Sequence, residues 1–81
     1  METKVALVSI ILENYNKIDE FNSILHEFNE YIIGRMGVPY RKKGISVISV
    51  AIDAPMDTIN ALSGKLGRLD GISAKTLIAS A

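Results

Sequence analysis

The sequence contains no cysteine and no tryptophan, and it has a single histidine, His26. Without cysteine there is no disulfide framework and no thiolate nucleophile or soft metal ligand, so stability must come from packing. That usage fits a reducing compartment. One histidine falls short of the recognised metal-ligand spacings, and neither a Ser-His-Asp order nor a Gly-x-x-x-x-Gly-Lys-Ser/Thr loop is present. No enzyme activity, cofactor or metal centre is expected on these grounds. Charge of one sign is lacking too. Nine basic and nine acidic side chains cancel, which leaves no overall field to attract a phosphate backbone or an anionic bilayer. Neither nucleic acid nor membrane is an expected direct partner. Long apolar runs are missing as well: Val5 to Leu12 follows Glu2 and Lys4, is too short to span a bilayer, and lacks a signal-peptide cleavage site. A soluble, cytoplasmic protein is the expectation.

What is present is apolar side chains, 48% of 81 residues. That is ample for a core and opposite to the composition of disordered chains. The whole chain, residues 1–81, reads as one domain, and a domain so small buries a modest share of its surface, so self-association would help it. Residues 4–13 are aliphatic and β-branched without helical spacing, and form the first expected strand. Asn14 or Asn16 can cap the helix that follows, whose apolar face is Ile18, Phe21, Leu25 and Phe28, with Ile24 beside it. Tyr31 to Met36, interrupted by Gly34, reads as a short second strand with a bulge or close backbone approach. Gly37 to Gly44, with two glycines, one proline and three consecutive cations, reads as an exposed connection. The third strand runs from Ile45 to Asp53. Pro55 suits a first helical turn, Met56, Ile59, Leu62, Leu66 and Leu69 form a buried stripe, and Gly67 or Gly71 can end that helix. Ile72 to Ala79 is the fourth and most polar strand.

The order βαββαβ is reinforced by an internal echo, Val8-Ser9-Ile10 against Ile48-Ser49-Val50, 40 positions later. Two such halves make a ferredoxin-like α+β fold: a four-stranded antiparallel sheet with both helices on one face. The uncovered face should then be polar. Here it is not. Ala6, Val8, Ile10 and Leu12 make one face of the first strand, but Val5, Leu7 and Ile11 surround Ser9 on the other. In the third strand Ile48, Val50 and Ile52 are set against Ile45, Val47 and Ala51. Partial exposure of apolar surface is common in small proteins, but a contiguous apolar patch across two strands more often means a partner, and a homo-oligomer formed through the sheet is the expectation.

Candidate chemistry lies in the loops. Glu13 and Asp53 end equivalent strands and could form a carboxylate pair, or could begin caps. Asn14 and Asn16 offer hydrogen bonds to a small ligand, or serve as caps. Arg35, Tyr40 and Arg41 with Lys42 and Lys43 border the glycine-containing connection and could hold a phosphate or carboxylate, Arg35 in bidentate fashion, or form a solvated basic loop. Gly34 to Gly37 and Gly64 to Gly67 share the Gly-x-x-Gly spacing of KH RNA-binding domains but not its helix-joining context. The third strand lacks the stacking aromatics of RRM domains. His26 reads as a residue at the solvent edge of its helix.

Three segments, Tyr31-Ile-Ile-Gly-Arg-Met-Gly-Val-Pro-Tyr40, Lys43-Gly-Ile-Ser46 and Leu62-Ser-Gly-Lys-Leu-Gly-Arg-Leu69, resemble those of a family of small bacterial proteins called iron-only hydrogenase system regulators. The resemblance spans nearly the whole chain. It implies an ACT-like module, similar in fold to the C-terminal domain of nickel-responsive regulators, that oligomerises and binds a small effector between subunits. It also implies a part in regulating a hydrogenase system. With His26 alone the nickel site of those regulators is not carried over, and without a DNA-binding ribbon or helix-turn-helix any transcriptional control would act through another protein. The resemblance carries over no ligand residues; those expected from the loops themselves are Asn14, Asn16, Arg35, Tyr40 and Arg41. A second reading is a structural association module that pairs with a hydrogenase-related protein and has no ligand of its own.

Overall fold

A computed structural model describes residues 2–80. Four strands, β1 (Lys4–Leu12), β2 (Ile32–Tyr40), β3 (Ile45–Ala54) and β4 (Ile72–Ile78), and two α-helices, α1 (Ile18–Glu27) and α2 (Met56–Gly67), follow in the order β1-α1-β2-β3-α2-β4. The sheet is antiparallel in the order β2-β3-β1-β4, so each helical crossover skips one strand. This is the ferredoxin-like arrangement, with both helices on one face.

Period-two alternation explains which side chains meet the helices. Ala6, Val8, Ile10 and Leu12 of β1 and Ile48, Val50 and Ile52 of β3 are buried. They pack against Phe21, Leu25 and Phe28 of the first helical segment and Ile59, Leu62 and Leu66 of α2. Ile18, Ile24, Met56 and Leu69 rim this core half-buried. Between the helices, Lys65 Nζ donates to Glu27 Oε2 at 2.6 Å and lies 5.7 Å from the centre of the Phe28 ring. The pair is exposed and contributes little beyond orienting the helix layer.

Several boundaries differ from the sequence reading, each for a local reason. β2 continues past Met36 to Tyr40, absorbing half of the expected connection. Pro39 is tolerated because β2 is an edge strand, where a missing amide need not break a ladder. The connection shrinks to a 3-10 turn over Arg41–Lys43, closed by Gly44 at φ 66. The expected bulge is present, between Ile32 and Gly34. Pro55 occupies the N-cap of α2 instead of its first turn, at ψ 152. Glu13 and Asp53 do not pair: β1 and β3 are antiparallel and Asp53 lies opposite Val5, eight residues or roughly 27 Å of strand from Glu13.

One end of the sheet gathers the β1–α1 loop, the Arg41–Lys43 turn and the approach to β4. Asn14 Oδ1 accepts from the Asn16 amide at 3.0 Å, and the Glu13 amide donates to the Gly71 carbonyl at 2.7 Å. The Tyr15 hydroxyl lies 3.1 Å from Ser46 Oγ at the start of β3. Gly71 has φ 77, and a Cβ there would collide with Asn14 Cβ.

Gly71→Ala should therefore lose about 2 kcal/mol or more, from the left-handed backbone and the collision together. Gly64→Ala, at an exposed helical position whose Cβ would meet nothing within 4 Å, should gain about 0.5–1 kcal/mol. Chemical denaturation of the two variants checks both signs. A double-mutant cycle with Tyr15→Phe and Ser46→Ala should return a coupling of about 1 kcal/mol; additivity would show that the hydroxyl pair does not anchor the loop.

Candidate functional site

The strand register defines the open face row by row. Val38, Val47, Ile11 and Ser73 lie side by side across the four strands; next come Met36, Ser49, Ser9 and Lys75; then Gly34, Ala51, Leu7 and Leu77. Val5 and Asp53 close the face at one end, Tyr40 and Ile45 at the other. No helix covers these side chains. Leu77 is 72% exposed, and Leu7 and Val47 are each 39% exposed although they sit on central strands.

The face is apolar with a polar middle. Three hydroxyls and an ammonium, from Ser9, Ser49, Ser73 and Lys75, line a shallow groove of about 530 Å³ together with Ile11 and Val47. A neighbouring hollow of about 430 Å³ lies over Val5, Leu7, Ala51 and Leu77. Against a second surface, the aliphatic rows would exclude water, while the serine and lysine groups would each need a hydrogen-bonding partner. The sequence reading did not select these four residues. Ser9 and Ser49 are nonetheless visible in it, as the polar centres of two otherwise aliphatic strands and of the internal echo.

Asn14, Asn16, Tyr40 and Arg41 lie at the same end of the sheet, with β3 between the β1–α1 loop and the end of β2. Asn14 spends its side-chain oxygen on capping; Tyr40 stands at the end of β2 opposite Ile45, and Arg41 opens the basic turn. Arg35 is not with them. It points to the helix side of β2, opposite Val50, with its guanidinium carbon 5.9 Å from the Phe21 ring centre. Five residues of strand, roughly 16 Å, separate it from Tyr40. A ligand site joining all five expected residues is therefore not formed within one chain.

Among the described residues, no group of three or more His, Cys, Asp or Glu could hold a metal ion, and no helix is long and apolar enough to cross a membrane.

None of the curated proteins matches the chain. Among solved structures, it is similar to the uncharacterized protein TM1266 from Thermotoga maritima, with 33% identity, a TM-score of 0.91, and coverage of 95% of this chain and 98% of that one. It also superposes on part of a formyltetrahydrofolate deformylase from Pseudomonas putida KT2440 at a TM-score of 0.59 and 17% identity. That match covers 94% of this chain and 28% of the deformylase, and at this identity the likeness is one of fold. Residues 4–76 match the family described as "TM1266-like: Iron-only hydrogenase system regulator, putative". A match over that span, in this fold and beside so similar a relative, shows that the chain belongs to the TM1266-like family.

Proposed function

We propose that this chain is a non-catalytic regulatory module of an iron-only hydrogenase system, one that self-associates through the open face of its sheet and holds a small polar effector between copies. The family's description supports the regulatory part. The observation that carries the self-association is the apolar surface left on the two central strands. The isolated chain exposes 5322 Å², about a tenth more than the roughly 4,800 Å² typical of a monomer of its mass. Val5, Leu7, Ile11, Val47 and Leu77 all lie on the uncovered face, and each would be worth up to about 2 kcal/mol on full burial. Its charged strand residues are Asp53 and Lys75, one of each sign, so two copies can meet there without net repulsion.

The polar middle row supports the effector. Between two copies, Ser9, Ser49, Ser73 and Lys75 would be cut off from bulk water, and a compound carrying both acceptors and negative charge would satisfy them. Asn14, Asn16, Tyr40 and Arg41 remain at the sheet end, from which such a compound would enter or a hydrogenase-related protein would contact the assembly.

At tens of micromolar the native protein should sediment as a dimer or larger. Val47→Glu, which places a carboxylate on the open face, should give monomers with unchanged far-ultraviolet circular dichroism. Ile48→Glu, one residue on and in the core, should unfold the chain. A monomeric native protein at about 50 μM would remove the self-association.

Thermal denaturation against amino acids, nucleotides and their phosphates should identify a compound that raises the melting temperature by several degrees when in large excess over its Kd. Lys75→Met should abolish that shift while leaving the dimer intact. If no compound responds, the effector half of the proposal fails and a purely structural association module is left.

A further inference from the structure

On the helix side of the sheet, α1 and β2 enclose a notch of about 340 Å³ lined by Asn22, Leu25, His26, Asn29, Ile32 and Arg35. Asn22 and His26 lie one helical turn apart on α1, and Asn29 opens the turn that follows it, so three polar side chains form one stripe. Arg35 reaches the same hollow from β2. Leu25 and Ile32 supply the apolar floor.

The chemistry of this lining has one sign. Arg35 has no carboxylate partner among the described residues, whose salt bridges join Lys17 to Glu20 and Lys65 to Glu27. Its side-chain partner is a neutral amide: Nη2 donates to Asn22 Oδ1 at 3.3 Å. The guanidinium is also steadied over the buried Phe21 ring, which reduces the ordering cost of binding. An arginine fork has five donors and matches an oxyanion in bidentate geometry. The Asn22 and Asn29 amides and the His26 ring add further donors, and no Asp or Glu lines the notch. A permanent cation beside neutral amides repels a metal ion and attracts an anion.

We propose that this notch is a binding site for the carboxylate or phosphate group of a small anionic metabolite, with Arg35 as the anchor and Asn22, His26 and Asn29 as supporting donors. The site lies on the opposite side of the sheet from the Ser9–Ser49 groove, so it does not depend on self-association or on an effector there. Its volume is at the lower end of small-molecule sites, which suits a compact acid or sugar phosphate better than a dinucleotide.

The test is titration of the native protein with inorganic phosphate and, separately, with succinate, followed by amide shifts in two-dimensional NMR, with sodium chloride as the ionic-strength control. Saturable millimolar shifts confined to the amides around Asn22, His26, Asn29 and Arg35 are expected. Saturation by phosphate alone assigns phosphoryl compounds, and by succinate alone carboxylates. Arg35→Gln should weaken binding about tenfold or more, while Arg68→Gln, exposed at the end of α2, leaves it unchanged. Because Arg35 also packs on Phe21, Asn29→Ala serves as the variant that leaves that packing untouched, and Arg35→Lys as the one that keeps the charge without the fork; each should weaken binding severalfold, Asn29→Ala with the melting temperature unchanged and Arg35→Lys with unchanged far-ultraviolet circular dichroism. Shifts that follow chloride equally, no response to either anion, or native affinity in Arg35→Gln or Arg35→Lys would overturn the site.

Discussion

The antiparallel ladder between β1 and β3 is the constraint on which the rest of the molecule depends. It pairs Val8 with Val50, Ser9 with Ser49 and Ile10 with Ile48, and the internal echo is symmetric about the same serine pair. A local two-fold axis therefore passes between Ser9 and Ser49. This register puts the core residues of both strands on one face, where Phe21, Leu25, Ile59, Leu62 and Leu66 close over them. A slip of one residue would send the serines inward and the valines out, and side-chain alternation makes that an all-or-none change.

The same ladder creates the surface that shapes the functional reading. Two helices cover one side of four strands, so the aliphatic residues of the other side stay uncovered whatever the helices do. The sheet edges offer poor outlets for that surface. β2 carries a bulge and Pro39, whose missing amide interrupts any added ladder, and β4 presents Ser73 and Lys75; both are devices that discourage edge-to-edge pairing. The proposed association by the open face would bring the Ser9, Ser49, Ser73 and Lys75 row between copies.

Strand direction also separates the possible sites. Because β1 and β2 run parallel with β3 between them, the β1–α1 loop and the end of β2 share one end of the sheet, and the Tyr15–Ser46 and Glu13–Gly71 contacts tie that loop to the start of β3 and the approach to β4. Arg35, midway along β2 and on the other face from Met36, belongs to α1 instead. The domain thus offers three distinct surfaces: an apolar open face, a polar and basic end, and a cationic notch under α1.

The element order, both helical stripes, the alternation of β1 and β3 and the uncovered apolar face were legible in the sequence, because each follows from periodicity within a dozen residues and from burial that such periodicity requires. Family membership was legible in three short segments. The extent of β2 was not, since Gly37, Val38 and Pro39 favour a loop locally and became strand through pairing with Ile48, Val47 and Ser46. Nor was the separation of Glu13 from Asp53, or of Arg35 from Tyr40: sequence proximity and equivalent position in a repeat carry no information on strand direction or face. The groove at Ser9 and the notch at Arg35 exist only once non-local strands and helices meet. Local side-chain chemistry determined which elements form, and long-range pairing decided which residues could share a site.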